Sequence, residues 1–154
     1  MKSIVGATSR KPWPCSALVL MVGGALLLGM GLYFIFLRPA LLPEDLRFIG
    51  IVRDPQDTFP RLALWLSHVF WVLGSYMITA GVFTCYVAAT TYRRRARSVA
   101  WLIAATGTTS IGVMMLVNFS IDSDFKWVLA SFTLLWVASL WLYYREKPIA
   151  ALTT

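Results

Sequence analysis

One histidine, His68, and one asparagine, Asn118, interrupt otherwise uncharged apolar stretches of this 154-residue chain. Imidazole is the side chain that ordinarily titrates near neutral pH, so a histidine at membrane depth points first to proton transfer or ligation. Ser75, Thr79 and Tyr86 follow His68 at offsets that fall within about 20° of one line at 3.6 residues per turn, which would make one wall of a polar cleft. Asn118 stands at a comparable depth on another segment, where its amide would bond His68 and lock two helices. Serine and threonine have a quieter use, returning their hydroxyls to carbonyls of the preceding turn.

Other reactive patterns are sparse. Metal chemistry would need more than one histidine with the loop acids Glu44, Asp45, Asp54, Asp57, Asp122 and Asp124, so neither a metal nor another cofactor is expected. Cys15 and Cys85 form no C-x-x-C pair and read as small apolar filler. No phosphate-binding glycine loop, H-E-x-x-H, C-x-x-C-H or G-x-S-x-G occurs, and no catalytic residue is assigned.

The elements that must position these residues follow from charge. Four runs contain no Asp, Glu, Lys or Arg: Cys15 to Leu37, Leu62 to Tyr92, Ser98 to Ile121 and Trp127 to Tyr144. About 20 helical residues cross a hydrocarbon layer of ~30 Å, so each run suffices. Strands of a membrane barrel would be shorter and would alternate apolar with polar, and helices of a water-soluble bundle would keep a polar face. The expected fold is all-α: a single four-span membrane domain over residues 1–154, with an outer loop over 38–61. The first run is longer than an export-signal core and lacks a small-residue cleavage site, so it reads as a retained helix.

Basic residues set the orientation. The amino end, the Arg93, Arg94, Arg95, Arg97 loop and the tail carry nine Lys and Arg on one side, against five on the other. Both termini are therefore expected in the cytoplasm, with the arginine loop facing anionic lipid headgroups rather than nucleic acid. Aromatic residues, Tyr92 and Tyr143 among them, are expected as interfacial anchors. Small residues mark contact stripes: Ser67, Gly74, Gly81 and Ala88 in the second run, Gly24 with Gly31 and Ala25 with Gly29 in the first, and Ala104, Thr108 and Gly112 in the third. A stripe left facing lipid would be a subunit interface.

In the outer loop, Pro43 suits a first helical position, Glu44 and Asp45 suit a helix amino end, and Gly50 suits its stop. A short interfacial helix is expected there, with Leu42, Leu46 and Ile49 on one face. Glu44, Asp45, Arg47 and Phe48 are its candidate interaction residues. A turn at Arg53 to Asp57 and a cap at Thr58 would lead into the second span.

Four spans and the segment Asp45-Leu46-Arg47-Phe48-Ile49-Gly50 beside an outer loop resemble the small four-helix proteins of bacterial inner membranes, the broad DoxX-like group among them. That resemblance implies the architecture, and for some members an association with quinone-linked or thiol redox systems. It carries over no catalytic residue. In that group the Leu-Arg-Phe type of segment more often leads straight into a span, whereas Arg53 to Arg61 intervenes here.

The sequence is best read as a multi-pass inner-membrane protein acting as a non-enzymatic accessory or assembly subunit, with a protein partner or a second copy of itself. The alternative is a quinone-associated or small-solute-binding protein with a cleft lined by His68, Ser75, Thr79, Tyr86 and Asn118.

Overall fold

A computed structural model describes residues 13–50 and 60–146. The expected turn at Arg53 to Asp57 and the cap at Thr58 lie outside them. In chain order the helices are α1 (Cys15–Phe36), α2 (Pro43–Ile49), α3 (Pro60–Val87), α4 (Arg97–Gly107), α5 (Val113–Ser120) and α6 (Lys126–Arg145). A π-helical turn, Ala88–Tyr92, extends α3, and another, Thr108–Gly112, joins α4 to α5. No strand occurs among the described residues. Four segments are long and apolar enough to cross a membrane: Cys15–Phe36, Arg61–Tyr92, Ser98–Ser120 and Lys126–Arg145. They match the four charge-free runs except at their ends.

The closest packing joins α1 to α3. A Cβ on Gly24 would lie 3.1 Å from the Gly81 carbonyl oxygen, and one on Gly31 would lie 2.6 Å from that of Gly74. Without side chains at these four positions the two backbones touch, which is how membrane helices gain contact when lipid is as apolar as they are. The heptad stripe of α3 thus finds its partner in the Gly24 and Gly31 stripe of α1. Two other expected stripes are not contact surfaces. Ala25 and Gly29 are exposed, and a Cβ on Gly29 would meet nothing within 4 Å. In the third span the buried small residues are Ala100 and Gly107, the latter seated against the Trp136 indole, while Thr108 is exposed. Ala104, Thr108 and Gly112 do not form one buried face: Thr108 points outward, and a Cβ on Gly112 would meet only its own helix, 3.7 Å from the Gly107 carbonyl oxygen.

Helix α1 is central, packed on α3 along one side and on α6 along another. The α4–α5 span rests on α6, and only the π turn at the end of α3 reaches α4. The bundle is therefore open between α3 and α4–α5. Its tightest core gathers at the end where the described chain begins and finishes, around Leu20, Tyr92, Ile103 and Tyr143.

Gly81→Ala should lower the thermal midpoint in detergent, because its methyl would lie 2.7 Å from the Leu28 backbone nitrogen and overpacking costs about 1–3 kcal/mol. Gly29→Ala should leave the midpoint unchanged or raise it, since its Cβ meets open space. Equal midpoints for the two variants would remove the backbone contact from this account.

Candidate functional site

The residues expected to line a polar cleft do not come together. His68, Ser75, Thr79 and Tyr86 are all exposed. Their line lies about 120° around α3 from the glycine stripe that α1 covers, and so points away from the bundle. The serine and threonine return to their own helix: Ser75 Oγ donates to the Trp71 carbonyl (2.9 Å) and Thr79 Oγ1 to that of Ser75 (3.0 Å). His68 Nδ1 lies 2.7 Å from the Leu64 carbonyl oxygen, and Asn118 Nδ2 donates to Met114 at 2.9 Å. The expected bond between His68 and Asn118 is absent, because α3 and α5 do not touch.

The depth of His68 also follows from packing. Arg38, the first charge beyond α1, sets its guanidinium 3.5 Å from the centroid of the Phe70 ring and is nearly buried there, paired with Asp45 at 3.1 Å. From Ser16 to Phe36 α1 rises about 30 Å, one hydrocarbon thickness. Phe70 therefore stands level with the first charge beyond α1, and His68 lies two residues further out along α3. The ring packs against Trp71 with centroids 5.1 Å apart, as an interfacial aromatic pair would.

A denser polar cluster stands at the opposite face, where both described chain ends lie. Glu146 accepts hydrogen bonds from the Ser16 hydroxyl (2.6 Å) and Ser16 amide (3.0 Å) and pairs with Arg95 at 2.8 Å. Arg95 also donates to the Tyr143 carbonyl and places its guanidinium 4.6 Å from that ring's centroid. Tyr92 donates to the Ser139 carbonyl at 3.0 Å, Ser139 Oγ donates to the Ser16 carbonyl at 2.9 Å, and Tyr143 donates to Ala96 at 3.0 Å. One cluster thus ties the start of α1, the end of α3, the turn after it and the end of α6. Arg95 holds a left-handed backbone, φ 61°, which costs a residue with a Cβ roughly 1–2 kcal/mol. That geometry turns the side chain inward, so Arg95 is not a cation offered to lipid. Arg93 and Arg94 remain at the surface of the turn, and the Arg97 side chain lies outside the described part. Tyr92 and Tyr143, expected as anchors, are buried and stacked with centroids 4.5 Å apart. Nothing in their sequence separates a buried tyrosine from an interfacial one.

On the other face α2 forms as its residues dictate. Pro43 opens it, Asp45 accepts from the Leu42 amide (2.9 Å), and Gly50 closes it at φ 76°. Its acids face inward: Glu44 is buried and accepts from Ser123 Oγ at 2.9 Å, while Asp45 holds Arg38. Arg47 reaches Asp124 at 2.8 Å, and Phe48 is exposed. The helix therefore straps α1 to the loop before α6. Of the four candidate interaction residues, only Arg47 and Phe48 face outward.

An apolar cavity of about 390 Å³ lies between α1, α3, α4, α5 and α6, with Gly23, Phe83, Leu102 and Trp136 in its walls. None of the five expected cleft residues lines it. Apart from Thr84, Thr106 and Ser110 its lining has no hydroxyl, and no charged side chain enters it. The sequence signal that marks it is the Thr106–Gly112 run, whose hydroxyls bond back to their own helix and whose Gly107 admits Trp136.

Fold and sites together define a small helical membrane protein. No protein-family model, curated protein or solved structure matches this chain. Among the described residues no three His, Cys, Asp or Glu side chains are grouped to hold a metal.

Glu146 gives a pH signature. Burial alone would raise its pKa, but the hydrogen bonds from Ser16 and the Arg95 charge outweigh it, and the carboxyl titrates below the usual glutamate range. Such a group stabilises the fold above its unfolded pKa of about 4.3 and loses that contribution as pH falls through its lower folded pKa. The thermal midpoint should hold from neutral pH to about 4–5 and drop below that. Glu146→Gln should start lower at neutral pH and show a shallower acid drop; an identical acid drop would remove the clamp from the pH response.

Proposed function

We propose that this chain is a small integral protein of the cell inner membrane, with both termini cytoplasmic, that serves as a non-enzymatic accessory or assembly subunit and docks a protein partner on the outer side. One observation carries the reading. With the outer polar boundary at Arg38 and Phe70, α3 continues through Pro60–Val69, roughly ten residues and about 15 Å along its axis. The headgroup layer takes up only about 5–7 Å on each side. Leu62, Leu64 and Trp65, 41%, 62% and 61% exposed, thus stand at or beyond its outer edge. An apolar stub outside the membrane is the signature of an interface that a partner covers. The excess of Lys and Arg in the arginine turn and the two ends supports the orientation.

The quinone-associated or solute-binding alternative draws little support from the polar stripe, since His68, Ser75, Thr79 and Tyr86 face away from every neighbouring helix.

Purification in mild detergent, after crosslinking in intact cells, should recover one stoichiometric partner chain. Leu64→Asp with Trp65→Asp should abolish that recovery without lowering folded yield, while Leu134→Ala on the lipid side should not. Tags on the two ends should both be inaccessible from outside the cell. A homogeneous preparation with no second protein, or recovery indifferent to the stub, would overturn the accessory role.

A further inference from the structure

We propose that the lateral cleft is a binding site for one hydrocarbon chain of an anionic membrane lipid whose headgroup rests on the α3–α4 turn. This site is on the side and face opposite the outer stub and does not depend on the accessory role.

The cleft has the dimensions of a ligand site. Its volume of about 390 Å³ falls within the ~300–1,000 Å³ typical of small-molecule pockets. Along α3 its lining runs from Met77 to Val87, about 15 Å of helix. Because α3 does not approach α4 or α5, the opening faces sideways into hydrocarbon. Water gains no partners on walls of this kind, and apolar cavities accept apolar guests. The substance next to the opening is lipid.

Charge selects the headgroup. The turn that joins α3 to α4 necessarily closes one end of the opening, since those two helices are its edges. Arg94 is exposed on that turn, and Arg93 lies with its guanidinium 4.4 Å from the Trp13 ring centroid. Glu146, the sole described acid at this face, is bound to Arg95 and Ser16. The exposed Arg94 therefore presents positive charge where the chain's phosphate end would emerge, and a phosphate or phosphoglycerol group complements it.

Two glycines of α1 make the test specific. Gly23 lines the cleft and Gly29 faces outward, and a Cβ on either meets nothing within 4 Å. A leucine at the first fills the cleft from inside; at the second it only faces the bilayer. The full chain would be reconstituted in vesicles of phosphatidylcholine and phosphatidylglycerol in equal parts, extracted in mild detergent, and its retained phospholipid counted by native mass spectrometry. The expected result is one phosphatidylglycerol per chain, reduced about tenfold or more by Gly23→Leu and unchanged by Gly29→Leu. Arg93→Gln with Arg94→Gln should retain lipid but lose the preference for phosphatidylglycerol. Ala80→Leu, which intrudes from α3, serves if Gly23→Leu does not fold. Retention unaffected by either plug, equal retention of the two lipids by the unmodified protein, or a lipid-free dimer crosslinked across α3 and α4 would each overturn the proposal.

Discussion

Where α1 and α3 meet, the backbones lie against one another at Gly24 with Gly81 and at Gly31 with Gly74, and no side chain separates them. In water such a contact would be one among many apolar contacts. In lipid it matters more, because burial of apolar surface gives helices no advantage and close dispersion contact must do the holding. The contact also fixes register. With Gly31 opposite Gly74, Arg38 falls on Phe70 and the end of α3 falls beside the start of α1. The height of the outer boundary, the length of the α3 stub and the meeting of Ser16, Tyr92 and Ser139 all follow from that one alignment.

Each end of the bundle is then closed by polar groups that satisfy one another. Among the described residues no buried side-chain nitrogen or oxygen lacks a partner, as a medium that offers no hydrogen bonds requires. The two closures differ in kind. At the α2 face the work is shared among several side chains, Arg38 pairing with Asp45 and Glu44 accepting from Ser123. At the other face a single left-handed residue, Arg95, is turned inward so that one guanidinium can serve a carboxylate, a carbonyl and a ring at once. The strain of its backbone is offset by charge-assisted bonds in a poorly hydrated place.

Much of this architecture is legible in the residues because its causes are one-dimensional. Charge-free runs give the spans, Pro43, Asp45 and Gly50 give α2, and the heptad glycines of α3 and α1 give the main contact. The candidate site was less legible, and the reason is geometric. A periodic polar line such as His68, Ser75, Thr79 and Tyr86 states that four groups share a face, but not which face the neighbouring helix takes. The glycines took the other one. Height is no easier to read, because only the contact of Arg38 with Phe70 shows how far α3 runs past the end of α1. The repeat of Ala104, Thr108 and Gly112 likewise states that three small residues share a face, but not that a neighbouring helix takes that face. Arg95 reads like its neighbours until the sign of its φ is known.

The two π turns divide the molecule mechanically. Helices α1 and α3 form a close pair through backbone contact, whereas the α4–α5 span is interrupted at mid-height by a wider turn whose hydroxyls bond its carbonyls and rests chiefly on α6. Contact is therefore unequal across the bundle, and a π turn in the least supported span is where bending would cost least. Changes in bilayer thickness or lateral pressure would act on this compliant wall first, leaving the rigid pair as the frame against which it moves.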